Sequence, residues 1–348
     1  MVKSEAIAGH APGMVKAEKK ELSTTAKYKS SVRMLVIMGV LVLACIAAYL
    51  FINVRFDNPK FFWYSMKLRI PKIIAMLIVA ICIGAASLVF QSVINNTIVT
   101  PCLLGMNSLY SLIHTIVVFV FGSASLVARN INVSYAVDLL LMAVIATLIY
   151  SYLFKKTKYN VLYILLIGTV LSSFFGSIQS TMIRVMDPNE YDALLTTLVA
   201  SFSKMNTDII IFSVILMVVI AFVLRKDLAL LNVITLGKDQ AINLGVDYDR
   251  TIRRLLLGVV LFIAIATALV GPISFLGLII ANLARQMLRT YRHSHLMLAS
   301  VMCGMVALIG GQIIVEHVVV YAIPLSVFIT VTGGIYFLWL LLRQKKGA

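Results

Sequence analysis

The stretch KIIAMLIVAICIGAASLVFQSVI, from Lys72 to Ile94, decides the fold. After its first residue it carries no charge for 22 positions, and about 20 apolar residues in a helix cross roughly 30 Å of hydrocarbon. Nine more runs of that order lie near 34–53, 106–122, 135–154, 161–183, 207–224, 253–270, 272–288, 295–315 and 323–342. The expected fold is therefore all-α: a polytopic membrane protein with about ten transmembrane helices. Three of the runs, 106–122, 272–288 and 295–315, are short or interrupted by Gly, Pro, His or Asn.

Bulk composition agrees. The 348 residues are 61% hydrophobic and only 13% charged, with a mean hydropathy of +1.00, which excludes an ordinary globular domain. Orientation follows from the cations. With the N-terminus cytoplasmic, the inner segments hold seven Lys/Arg up to Arg33, three in Lys155–Lys158, six from Arg225 to Arg254, three from Arg285 to Arg292 and three after Trp339. These are 22 of the 30, whereas the acidic residues divide seven and seven. Both termini are thus expected in the cytoplasm. The formal charge of +16 marks topology, not a nucleic-acid footprint.

This organisation divides the chain into a basic cytoplasmic tail without order (1–33), a transmembrane domain (34–342) with a cytoplasmic loop at 225–252, and a cytoplasmic end (343–348). The tail lacks the apolar core and cleavage site of a signal peptide, so the first run is expected to stay as a membrane helix. MVKSE at Met1 is echoed by MVKAE at Met14, which leaves the native start open. Cys45, Cys82, Cys102 and Cys303 have no CxxC spacing and no His partners at ligand spacing; packed thiols are expected, with neither a disulfide framework nor a metal site.

Chemistry is scarce. No GxxxxGK[ST] pattern is present, so if ATP drives transport, another subunit binds it. Ionisable residues inside spans mark proton and ion relays, but only His114 and Asp138 qualify. Read as lone groups, they are a hydrogen-bonded histidine and an interfacial acid, which argues against a self-energised carrier. No Ser/His/Asp set, HExxH or paired carboxylates stand at bilayer depth, so no covalent chemistry is expected.

Three segments stand out. The fifth run carries two stripes of small residues at four-residue spacing, Gly168, Ser172, Gly176, Ser180 and Thr169, Ser173, Ser177, Thr181. Each stripe occupies one helix face and suits either tight helix packing or the wall of a path. In KLRIPKIIAM, Arg69 and Lys72 flank Pro71, which suits the first turn of a helix on the outer side. The two cations read as headgroup anchors or as a dock for an acidic partner. In LLNVITLGKDQAINLGVDYDR, Leu230–Arg250, Gly237 and Gly245 bracket about two turns of helix, with Asp247 or Asp249 placed to cap the next one. So short a helix needs something to dock on; otherwise the loop merely connects two spans.

In order, RIPKIIAMLIVAICIGAASLVFQSVINNTIVTPCLLGMNS, the fifth run, LNVITLGKDQAINLGVDYDRTIRRLLL and ALVGPISFLGLIIANLARQML resemble the four motif blocks of the FecCD-type permeases. These are the membrane subunits of bacterial ABC importers for iron-siderophores, haem and vitamin B12. The matched motif positions are Pro71, Gln91, Pro101, Gly105, Gly271, Pro272, Phe275, Gly277 and Arg285. The resemblance implies the type II ABC importer permease fold in the bacterial plasma membrane. It also implies a second permease, two ATPases that bind ATP and Mg, and an external substrate-binding lipoprotein, with no cofactor on this chain. By position, Leu236, Gly237, Ala241, Leu244 and Gly245 would form the ATPase-coupling element. Arg69 and Lys72 would meet the binding protein, and Asn96 and Ile98, with Ser172, Ser173, Gly176 and Ser177, would line the gate and path.

Departures exist as well. Ala281–Asn282 replaces the family's Pro-His, Thr97 stands where Pro is common, and Glu316–His317 stands where many members carry a basic residue. These variations, with TPCLLGMNSLY, are similar to one member of two-permease catecholate or petrobactin-like siderophore systems. A ferric-siderophore cargo and a heterodimer are therefore expected. Haem, cobalamin or an ATPase-independent carrier are the alternatives.

Overall fold

Lipid offers no partner to a backbone N–H or C=O, so every long apolar run has to satisfy its own hydrogen bonds as a helix. The computed structural model describes residues 12–54, 59–122, 125, 130–157, 161–202, 205–288, 290–320 and 323–344, and among them there is no strand. In chain order the helices are α1 (Pro12–Phe51), α2 (Pro59–Ile94), a 3-10 turn (Pro101–Leu104), α3 (Met106–Phe121), α4 (Ile131–Lys156), α5 (Val161–Val185), α6 (Pro188–Leu198) and α7 (Thr207–Ala229). They continue with α8 (Leu231–Ile234), α9 (Lys238–Asn243), α10 (Tyr248–Val270), α11 (Leu276–Met287), α12 (His293–His317) and α13 (Leu325–Gln344).

Each of the ten apolar runs falls in its own helix, and seven of these helices are long and apolar enough to cross a membrane. The run 272–288 does not make a full span. Gly271 at φ +92° ends α10, Pro272 follows, and Phe275 at φ +62° precedes α11, whose 12 residues cover only about 18 Å. Irregular backbone at such a place is tolerated where protein covers it. Here a Cβ at Gly271 would stand 3.0 Å from the Ala200 Cα, and Ile273 and Leu276 are buried.

Three other boundaries depart from expectation. The tail before Arg33 is helical from Pro12, because AEKKEL is built from strong helix formers behind a Pro at the first position. Helix α2 begins at Pro59, so Pro71 lies inside it and not in its first turn; the aromatic and basic residues before Arg69 broke the apolar pattern without breaking the helix. Helix α6 was not foreseen, although DPNE carries its signal: Asp187 caps it through the Asn189 N–H at 2.8 Å, with Pro188 next.

The core gathers on α2, α10 and α12, while the Ser30–Phe51 part of α1 and the span in α5 leave most of their surface unburied. Between α2 and α12 the fit is close. Ala80 and Gly84 face Ser300 and Gly304, each pair four residues apart, and an added Cβ at Gly304 would stand 3.0 Å from the Ala80 Cβ. One at Gly84 would stand 3.1 Å from the Ser300 Oγ. This is the small-residue seam by which membrane helices bring their backbones together. Cys82 and Cys303 are buried thiols and all four cysteines are free.

Gly304→Val is expected to destabilise the purified protein by about 1–3 kcal/mol through overpacking, read as thermal unfolding in detergent. Gly310→Ala, where an added Cβ meets nothing within 4 Å, is expected to be neutral or mildly stabilising, since Ala is the better helix former. Equal stability of wild type and Gly304→Val would remove the seam as the organising contact.

Candidate functional site

The segment after α7 is ordered by its two glycines. Gly237 at φ +106° starts α9, and Gly245 at φ +82° ends it, both in backbone conformations that suit glycine. Behind α9 the Gly245 N–H donates to the Ile242 carbonyl at 2.9 Å and the Val246 N–H to the Ala241 carbonyl at 3.0 Å, a Schellman closure. The helix proper has six residues. The next helix, α10, is capped by Asp247, whose Oδ1 accepts from the Arg250 N–H at 3.2 Å. Asp249 instead accepts from Lys238 Nζ at 3.0 Å and ties the two helices together.

Burial within this segment is divided. Ala241 is fully buried and anchors α9 inward, whereas Leu236, Ile242 and Leu244 are 53%, 50% and 63% exposed. Three large apolar side chains on a polar loop form a patch that calls for a covering surface.

The positions expected to form the gate follow α2. Asn95 turns the chain at φ +52°, and the Asn96 Oδ1 accepts from the Ile98 N–H at 2.9 Å. Between them and Pro101 the Thr97 carbonyl accepts two amides, Gln91 Nε2 at 2.8 Å and Asn282 Nδ2 at 2.9 Å. The loop is therefore held by α2 and α11 at one atom, and Asn282, a departure from the family pattern, is one of its two holders.

The 3-10 turn from Pro101 then seats on α5. A Cβ at Gly168 would stand 2.9 Å from the Leu103 carbonyl oxygen, and one at Gly105 would stand 3.0 Å from the Ser172 nitrogen. Ser108 and Ser172 share a hydrogen bond at 2.8 Å. The two stripes of α5 thus divide their roles. The first stripe packs at Gly168 and Ser172 and then opens: an added Cβ at Gly176 meets nothing within 4 Å, and Ser180 is exposed. The second stripe, Thr169, Ser173, Ser177 and Thr181, is exposed. Its hydroxyls each donate to a carbonyl one turn earlier, at 2.8, 3.2, 2.9 and 2.9 Å.

In the fourth block, α11 lies hard against α2: a Cβ at Gly277 would fall 2.0 Å from the Ser87 Oγ. Phe275 packs against Phe337 at 6.2 Å between centroids. Arg285 Nη2 donates to the Ser92 Oγ at 3.0 Å.

At the end of the bundle expected to face outward, both cations turn inward. Arg69 Nη1 donates to the carbonyls of Tyr49, Leu50 and Ile52 at 2.7, 3.0 and 2.8 Å, closing the C-terminal end of α1, where carbonyls lack helical partners. Lys72 Nζ meets Glu316 Oε1 at 2.8 Å, with side chains 13% and 7% exposed. The same oxygen accepts from the Tyr49 hydroxyl at 3.0 Å and Gln312 Nε2 at 2.8 Å. The acid at 316 is thus the internal counter-charge of Lys72. Sequence spacing also missed a second pair: His114 Nδ1 and Asp138 Oδ2 lie 2.7 Å apart, both buried, so neither is a lone group.

Residues 34–343 match the FecCD transport family. The chain is 38% identical to the petrobactin import system permease protein YclO of Bacillus subtilis (strain 168), over 88% of this chain and 96% of that one. It is 33% identical to the petrobactin import system permease protein FatC of Bacillus anthracis, over 84% and 82%. A solved inward-facing structure of a metal-chelate type ABC transporter superposes with a TM-score of 0.77 at 21% identity, covering 90% of this chain and 99% of that one; at that identity it speaks for the fold.

Lys72→Met leaves the Glu316 carboxylate buried without its cation and is expected to cost about 3 kcal/mol, measured as unfolding in detergent. Adding Glu316→Gln, which removes the charge and keeps an acceptor for Tyr49 and Gln312, is expected to recover most of that loss. Additive losses in the double variant would mean that the pair is not the source of the stability.

Proposed function

The chain belongs to the FecCD transport family, and from that premise we propose that it is the plasma-membrane permease subunit of an ABC importer that moves a ferric siderophore inward. A petrobactin-like catecholate chelate is the cargo favoured by the two relatives named for petrobactin import. The subunit works by alternating access, beside a second and distinct permease, two ATPases that hold ATP and Mg, and an external binding lipoprotein. This chain holds no nucleotide of its own and performs no covalent step.

One observation carries the mechanism. The glycine-framed segment is anchored by fully buried Ala241 and leaves Leu236, Ile242 and Leu244 bare on the side that carries most of the chain's cations. A patch of that kind is a docking surface for a cleft in another protein. When nucleotide draws the ATPases together, the push enters at α9 and passes through α10, whose start is fixed to α9 by Lys238 and Asp249. The loop Asn95–Pro101, with Asn96 and Ile98, is the inner gate, and the exposed face of α5 is the wall the chelate passes. Arg69 and Lys72 serve the outer face indirectly, by holding the ends of α1, α2 and α12 as a platform for the binding protein.

Leu244→Asp and Leu236→Asp place a charge in that patch. Each is expected to lower ATPase retention on the purified permease by at least about tenfold, the effect of roughly 1.4 kcal/mol, and to abolish chelate uptake by cells. Undiminished retention with both residues replaced would overturn the docking assignment.

A further inference from the structure

Ser92, in the last turn of α2, is where two other helices, α11 and α12, meet. Its Oγ donates to the Leu88 carbonyl at 2.7 Å, accepts from Arg285 Nη2 at 3.0 Å and stands 3.0 Å from His293 Nε2. At the other edge of the imidazole, His293 Nδ1 lies 2.6 Å from Asn232 Oδ1, which also accepts the His293 backbone N–H at 3.2 Å. Asn232 belongs to α8, the turn immediately before α9. A line of polar contacts therefore runs from the proposed docking segment through the first residue of α12 to the end of α2.

The line does not stop there. Gln91, beside Ser92, and Asn282, one turn before Arg285, are the two amides that hold the Thr97 carbonyl in the gate loop. Gln91, Ser92, Asn282 and His293 are all at least nine-tenths buried, and a buried polar group separated from its partner meets the full cost of desolvation. Displacement of α8 is thus passed on instead of being absorbed by slack side chains.

Ser92 has one hydroxyl proton and two acceptors for it. An amide oxygen only accepts, so the Asn232 contact puts the imidazole proton on Nδ1, and in the neutral ring Nε2 is then an acceptor that competes with the Leu88 carbonyl. The hydroxyl has two discrete arrangements, the property a transmitting element requires. The same junction also contains a buried acceptor, Gln91 Oε1, and a buried donor, Arg285 Nε, without protein partners. They stand on α2 and α11, the two helices that grip Thr97.

We infer that Asn232, His293 and Ser92 form the link that carries motion of the docking segment to the gate loop, with Ser92 as the positioning residue at the joint. The inference rests on the proposed docking of α9. The full complex, reconstituted in vesicles with its ATPase, second permease and binding protein, tests it through the chelate moved per ATP hydrolysed. Asn232→Ala and Ser92→Ala are expected to lower that ratio at least about fivefold, the lower end of a typical coupling between sites, while the ATPase stays bound. His293→Asn, which keeps a donor for Asn232 but is too short for Ser92, is expected to do the same.

A structural role alone would lower the amount of assembled complex and leave the ratio untouched. An unchanged ratio in Asn232→Ala overturns the inference, and because Asn232 is exposed that variant decides even if Ser92→Ala fails to accumulate. Leu244→Asp, run in parallel, separates the two ideas. If it leaves the ATPase bound, the docking assignment fails; if it releases the ATPase while Asn232→Ala transports at the normal ratio, only the link fails.

Discussion

The close approach of α2 and α12 at Ala80, Gly84, Ser300 and Gly304 is the constraint on which the remaining architecture depends. Lipid tails are as apolar as leucine, so burial of hydrocarbon does not by itself join two membrane helices, and shape has to do so. Small residues on both partners let the backbones meet. Once α2 is fixed in this way, Gly277 can press α11 onto Ser87, Arg285 can reach Ser92, and the loop beyond Ile94 falls where Gln91 and Asn282 can grip it. The position of the proposed gate loop is a consequence of the seam.

The end of the bundle that holds Arg69 and Lys72 is organised by charge in place of shape. Arg69 spends its donors on the open end of α1, and Glu316 gathers Lys72, Tyr49 and Gln312 onto one oxygen. Charges this poorly exposed are costly unless satisfied several times over. The triple acceptor at Glu316 meets that requirement and joins α12 to α1 and α2 through Tyr49 and Lys72, which lie 267 and 244 residues earlier in the chain.

Features set by neighbouring residues were legible in the sequence: the ten apolar runs, the glycine frame at 237 and 245, and the cap at Asp247. Each rests on periodicity or on a residue whose backbone preference is intrinsic. The true start of α2 was not legible, because Phe61, Trp63 and Lys67 interrupt hydropathy without interrupting a helix, so Pro71 read as a first-turn residue. The run 272–288 misled in the opposite direction, since its apolar start at Pro272 counts toward a span although the helix begins only at Leu276. Long-range pairs left no local trace. His114 and Asp138 are 24 residues apart and Lys72 and Glu316 are 244 apart, distances over which a single sequence carries no pairing signal. The stripes of α5 were visible, but which one packs and which one stays open was decided by where the 3-10 turn lands.

The exposed hydroxyls of α5 have a consequence for passage. Because Thr169, Ser173, Ser177 and Thr181 commit their protons to their own backbone, these four hydroxyls offer outward-pointing lone pairs and no donors. An anionic oxygen meeting them finds no proton to accept until the exposed Arg184 in the last turn of α5. If α5 is the path wall proposed above, a hydrated stretch without donors suits a conduit, where cargo that binds too well would not leave; it favours throughput and leaves recognition to whatever delivers the cargo.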